Sequence, residues 1–115
     1  MQFLLMIFDD AAAWKTVGEA EMARVMQQHE RLIADLKTQG KWIRCDRLRP
    51  STEAATVRIE DGRPVVSDGP FAETKEVMGG YYLIESASMA EAVAWAKRLP
   101  LAGRSTVEIR PIWDA

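Results

Sequence analysis

The side chains best suited to move a proton are His29, the single histidine of the 115-residue chain, and Asp68, which opens the run Asp68-Gly69-Pro70. An imidazole titrates nearest neutrality and burial shifts it further, so His29 could serve as general base or acid. It stands three or four residues from Val25, Met26, Leu32 and Ile33, which aims it along an apolar helix face. The ordinary alternative there is a satisfied core histidine. Gly69 and Pro70 carry strong backbone preferences that would fix the direction of the Asp68 carboxylate. Its structural alternative is to brace its own turn through nearby backbone N–H groups.

Arg47, Arg58 and Arg110 fall on expected strands and could hold a carboxylate or phenolate in a shared cavity, although strand arginines usually end in solvent. Tyr81, Tyr82, Trp42 and Trp113 could line an aromatic pocket or, more ordinarily, fill core and interface. Phe71 either rims a pocket with Thr74, Lys75 and Glu76 or plugs the core while those three stay solvated. Cys45 is alone, which excludes an internal disulfide and leaves zinc with at most one sulfur and one imidazole. No metal site is expected. There is no glycine-rich phosphate loop, so no nucleotide cofactor is expected either.

The elements that must position these groups follow from composition and periodicity. Apolar residues make up 48% and charged residues 28%, which suits one folded domain over residues 1–115. The net charge of −2, with no block of either sign, argues against nucleic acid as a partner. The early apolar run Phe3 to Phe8 is too short to span a bilayer and lacks the flanks of a signal peptide, so a cytoplasmic location is expected.

Gln2 to Phe8 reads as a first strand, and Glu19 to Gln39 as a long amphipathic helix opened by a Thr16/Glu19 capping box and stopped by Gly40. A strand is expected over Lys41 to Leu48, then a hairpin of Thr56 to Glu60 and Arg63 to Val66 about an Asp61-Gly62 turn. Ser67 to Gly80 reads as an ordered loop. Tyr81 to Glu85 is a strand, Ser88 and Glu91 cap a second helix closed by Pro100, and Thr106 to Trp113 is the last strand. The order predicts an α+β, ferredoxin-like split βαβ fold with an inserted β-hairpin. Helices on one sheet face would leave the other bare, and a second copy of the chain is its simplest cover.

The stretch Ser67-Asp68-Gly69-Pro70-Phe71-Ala72-Glu73-Thr74-Lys75-Glu76, followed by Gly79-Gly80-Tyr81-Tyr82-Leu83-Ile84-Glu85, resembles the signature of DGPF-type proteins of the YCII-related family. The resemblance extends over essentially the whole chain. It implies a ferredoxin-like fold that forms a homodimer through its sheet, as a dimeric α/β barrel. Some relatives of this type are encoded beside extracytoplasmic-function sigma factors, and the wider family includes a chlorinated-hydroquinone dehydrochlorinase. Two functions are therefore expected as alternatives. One is a cofactor-independent lyase or isomerase using Asp68, with or without His29, on a small molecule held by Arg47, Phe71, Thr74, Tyr81 and Arg110. The other is a non-catalytic binding or regulatory module working with a sigma factor. Shorter relatives are proposed to use a His and Asp pair, whereas DGPF-type relatives often carry an aromatic where His29 stands.

Overall fold

The computed structural model describes residues 1–101 and 104–114. Among the described residues, six strands and three α-helices follow one another: β1 (Gln2–Asp10), α1 (Ala11–Trp14), α2 (Glu19–Thr38), β2 (Trp42–Arg47), β3 (Ala55–Glu60), β4 (Arg63–Asp68), β5 (Glu76–Glu85), α3 (Met89–Ala96) and β6 (Ser105–Pro111). The main sheet is antiparallel with order β2-β5-β1-β6, and β3 and β4 form a separate two-stranded sheet. This is a mixed α+β architecture compatible with the ferredoxin-like plan.

Alternation along β1 decides which face is the core. Phe3 and Leu5 are each 1% exposed and meet Leu32 and Leu36 of α2, Tyr82 and Ile84 of β5, and Ala92, Trp95 and Ala96 of α3. Burying each large apolar side chain of this kind stabilises the fold by roughly 1.5–3 kcal/mol. Leu4, Met6 and Phe8 point the other way, beside Tyr81 and Leu83, and are only half-buried. Around them stand Arg44 and Asp46 on β2 and Glu108 and Arg110 on β6, so the helix-free face has an apolar centre with one cation and one anion on each edge strand.

Local chemistry sets the ends of the elements. Gly40 (φ 69°) takes the left-handed conformation expected after α2, and the Asp61-Gly62 turn (φ 50° and 77°) has positive φ at both central residues, as a tight hairpin needs. Ser88 Oγ accepts the Glu91 N–H at 3.1 Å while the Glu91 carboxylate accepts from Ala87 N at 2.9 Å, fixing the start of α3. The capping box at Thr16 does not form: α2 starts after Gly18 with no side-chain cap, because Thr16 Oγ1 donates instead to Ala13 O at the end of α1. That short helix was not legible in the apolar pattern and is capped by Asp10, which accepts from Ala12 N at 3.0 Å. Met26, expected on the apolar face of α2, is 50% exposed, since Val25, Leu32 and Leu36 are the residues that reach the sheet.

The largest departure concerns the segment between hairpin and sheet. β4 runs to Asp68 and β5 begins at Glu76, so the loop is shorter than expected and the Gly79-Gly80 pair lies inside a strand. Ile7 pairs with Gly80 and Phe8 with Met78, which leaves Gly79 as the extra residue of a β-bulge. The hairpin is lashed down at its base, where Gly69 N donates to Ala54 O at 2.7 Å and Thr56 Oγ1 to Gly69 O at 2.7 Å. Such ties matter because a lone two-stranded hairpin is marginal in water.

Candidate functional site

On the helix face of the sheet, three strands and α2 bring together a set of polar side chains. His29 leaves the apolar stripe of α2 and stacks on Tyr82, with ring centroids 5.8 Å apart and planes at 19°. Its Nδ1 lies 2.5 Å from the Tyr82 hydroxyl. Tyr82 is 3% exposed, with Trp42 edge-on to its ring. Cys45 is its register partner on β2, so thiol and phenol lie on the same sheet face. Burial pushes both groups' pKa values up, so both stay protonated near neutral pH. Burial also lowers the pKa of His29 below its ordinary 6.5, against a smaller upward pull from the charge of Asp9.

Asp9 is the functional candidate that the sequence did not disclose. It follows Phe3, Leu5 and Ile7 on the core face of β1 and is half-buried. Its Oδ1 accepts the indole N–H of Trp14 at 3.2 Å and the hydroxyl proton of Ser105. Oδ2 points at Gly79, where a Cβ would lie 2.1 Å from it and 3.2 Å from Cγ. The bulge at Gly79 is what lets the carboxylate occupy this place. Asp9 and Asp10 read in sequence only as the polar end of an apolar strand, and the Gly-Gly pair only as loop punctuation. The signal that could have found the site was two adjacent glycines entering a β-rich run.

Along the same face of β5, the position between Tyr82 and the bulge is Gly80, which presents no side chain. The floor between the His29–Tyr82 pair and Asp9 therefore lacks side-chain bulk on that strand. Next to Asp9 opens a cleft of about 510 Å³, walled by Asp10, Ala13, Thr74, Lys75, Glu76 and the start of β6 at Arg104, Ser105 and Thr106. Lys75 Nζ stands 3.7 Å from Asp10 Oδ2, and Thr74 Oγ1 donates to Glu76 O at 2.7 Å. Arg104 pairs with Glu21 at 2.7 Å and lies over the Trp14 ring, closing the wall beside α1.

The residues expected to form a site are thus spread over several surfaces. Asp68 is exposed at the end of β4, paired with Ala55 in the hairpin sheet, whereas the carboxylate whose charge acts on His29 is that of Asp9. The cleft is not the one expected between His29 and the Asp68 loop, since neither residue lines it; the signature loop contributes Thr74, Lys75 and Glu76. Phe71 is 76% exposed and its carbonyl accepts from Arg58 Nη2 at 2.5 Å, so its ring does not plug the core. Tyr81 and Arg110 lie on the helix-free face, where the Tyr81 hydroxyl donates to Asp46 Oδ2 at 2.6 Å. That bond, with Arg44 behind it, holds the Asp46 carboxyl below the usual range. Arg47 is exposed beside Gly80, so Arg47, Arg58 and Arg110 do not share a cavity. Among the described residues no group of acidic, histidine and cysteine side chains could hold a metal ion, and no helix is long and apolar enough to cross a membrane.

Fold and site together define a small α+β protein with a polar cleft at one end of its sheet and a carboxylate and an imidazole on the covered face. The chain belongs to the YCII-related family, whose domain model matches residues 1–115. It is also 38% identical over 114 residues to an uncharacterised protein of Rhizobium meliloti (strain 1021), a match that covers 97% of this chain and 92% of that relative.

Proposed function

We propose that this chain binds a small carbonyl- or hydroxyl-bearing molecule and moves one of its protons without a cofactor, as a lyase or isomerase. Asp9 is the proton acceptor and neutral His29 the hydrogen-bond donor that polarises the substrate. The observation that carries this reading is the common placement of Asp9 and His29 on one sheet face, electrostatically coupled, with glycine at the intervening position of β5. A carboxylate base working with a neutral imidazole is a known solution to proton abstraction beside a carbonyl, because the imidazole shares the negative charge that develops on oxygen. Thr74 and Lys75 at the cleft suit a substrate that also carries a carboxylate or phenolate.

The helix-free sheet face is assigned to a second copy of the chain. Its apolar centre of Leu4, Met6, Phe8 and Leu83 would otherwise face water, and its edge pairs Arg44/Asp46 and Glu108/Arg110 offer complementary charges to an identical surface.

The test is a nuclear magnetic resonance titration with a panel of keto acids, hydroxy acids and hydroquinones, followed by incubation of any binder in deuterated water. Amide shifts clustering about Asp9, Ser105 and Thr74 are expected, with deuterium entering the substrate carbon. Exchange should fall by roughly 10²-fold or more in Asp9→Asn, the usual loss for a general base. Binding at this cleft without exchange would favour the non-catalytic module. Shifts confined to the Asp68 end of the hairpin would refute the assignment of the site.

A further inference from the structure

A tyrosine buried to 3% exposure beneath the single histidine does more than fill space, because its hydroxyl is within 2.5 Å of Nδ1 and its register partner on β2 is Cys45. We infer that Tyr82 is a positioning residue that fixes the tautomer of His29, donating its proton to Nδ1 so that the neutral ring carries hydrogen on Nε2.

One hydroxyl has one proton to give, and it lies between an imidazole nitrogen and a sulfur. An unprotonated ring nitrogen is a far better acceptor than a thiol, which accepts only weakly. With the thiol protonated, the sulfur offers the phenol only a weak acceptor, and the tyrosine proton goes to His29 Nδ1. Burial keeps sulfur and phenol protonated, which holds that direction at neutral pH. In the reverse direction Nδ1–H would donate to the phenol oxygen and leave the tyrosine proton to the thiol, a weak acceptor. Parallel stacking at 5.8 Å limits rotation of the ring out of this contact. The charged and titratable groups that act on the assembly come from each packed element: Asp9 of β1 raises the proton affinity of His29, while Asp46 of β2 and Lys37 of α2 act in opposite senses on Cys45.

The consequence deepens the proton-transfer reading above, on which its functional meaning rests. A histidine fixed with hydrogen on Nε2 is a donor toward bound substrate and cannot accept the substrate proton there. Base chemistry is then left to Asp9. This division of roles would be absent if the ring exchanged freely between tautomers.

Because the chain holds one histidine, its two ring nitrogens can be observed without ambiguity in uniformly ¹⁵N-labelled, ligand-free protein by long-range ¹H–¹⁵N correlation. Above the titration of His29, the spectrum should show an unprotonated Nδ1 and a protonated Nε2. In Tyr82→Phe, which keeps the ring and removes the hydroxyl, the two shifts should move toward each other as the tautomer ratio falls by roughly fivefold, the worth of one ordinary hydrogen bond. Cys45→Ala should leave the wild-type pattern at neutral pH, since the acceptor of the tyrosine proton is unchanged. A wild-type spectrum with hydrogen on Nδ1 would overturn the inference, and needs no variant to fold. So would unchanged nitrogen shifts in a folded Tyr82→Phe protein. Neither result depends on any ligand, so a failure here is distinct from a failure of the proposed activity.

Discussion

Replacing Gly79 by alanine tests whether the carboxylate of Asp9 is seated by the bulge. The backbone of Gly79 lies outside the left-handed region, so alanine brings no torsional penalty and the effect is steric. The new Cβ would stand 2.1 Å from Asp9 Oδ2, where no stable non-bonded contact exists, and Asp9 belongs to a paired strand whose backbone cannot retreat freely. The carboxylate must rotate, which removes it from Trp14 Nε1 and Ser105 Oγ. Hydrogen bonds to a charged group contribute about 1.5–3 kcal/mol each, and part of that loss is recovered by solvent in a half-buried site. A total cost of roughly 2–4 kcal/mol is expected, within the range for overpacking. For a chain of this size that corresponds to about a 10 °C fall in Tm.

Thermal and urea unfolding of Gly79→Ala, Asp9→Ala and the double variant measure this directly. If the cost arises from the contact, alanine at 79 should be nearly harmless once Asp9 is also alanine, giving a coupling energy of about 2–4 kcal/mol between the two positions. An additive cycle, or a Tm for Gly79→Ala within 2 °C of wild type on the scale of about 4 °C per kcal/mol, would refute the reasoning.

Gly62→Val should destabilise the hairpin by roughly 1 kcal/mol or more, because a β-branched residue resists the φ of 77° found there, and differential scanning calorimetry reads the shift. His29 has a folded-state pKa below its ordinary 6.5, so the unfolded chain takes up the proton first; stability should be undiminished above pH 6.5 and fall as pH drops toward the folded value. In urea titrations His29→Gln should show a shallower loss over that window. Light scattering should give twice the chain mass at micromolar concentration, and Met6→Glu on the helix-free face should reduce it to one chain, since a charge there would be buried without a partner.

The covered side of the fold was legible in sequence because it rests on short-range rules. The stripe of Val25, Leu32 and Leu36, the stop at Gly40, the Asp61-Gly62 turn and the Ser88/Glu91 cap each depend on residues a few positions apart. What escaped was set by pairing across the sheet. Asp9 acquires its meaning only when Trp14, Ser105 and Gly79 converge on it, from sequence separations of 5 to 96 residues. Gly79-Gly80 was misplaced because glycine punctuates loops and marks bulges alike, and only the Ile7/Phe8 register tells which applies. His29 was correctly placed on the apolar face, yet its partner proved to be the phenol of Tyr82 rather than the carboxylate of Asp68.

The signature run that dominates the sequence can then be understood by what fastens its two ends. At its start, Gly69 (φ 90°) turns the chain out of β4, where Thr56 holds the Gly69 carbonyl and Arg58 that of Phe71. At its end, Thr74 holds the Glu76 carbonyl as β5 begins, and Glu76 and Val77 enter register opposite Asp10 and Asp9. A slip that brought Met78 to this position would set a side chain against Asp9, where a Cβ would stand 2.1 Å from the carboxylate oxygen. On this view the conspicuous Asp68-Gly69-Pro70 segment acts from a distance, by delivering Gly79 to the strand position that Asp9 requires. Its own carboxylate faces solvent at the end of the hairpin. The same run also supplies Thr74 and Lys75 to the cleft, so one segment sets both the seat of the proposed base and the polar rim through which a ligand would reach it.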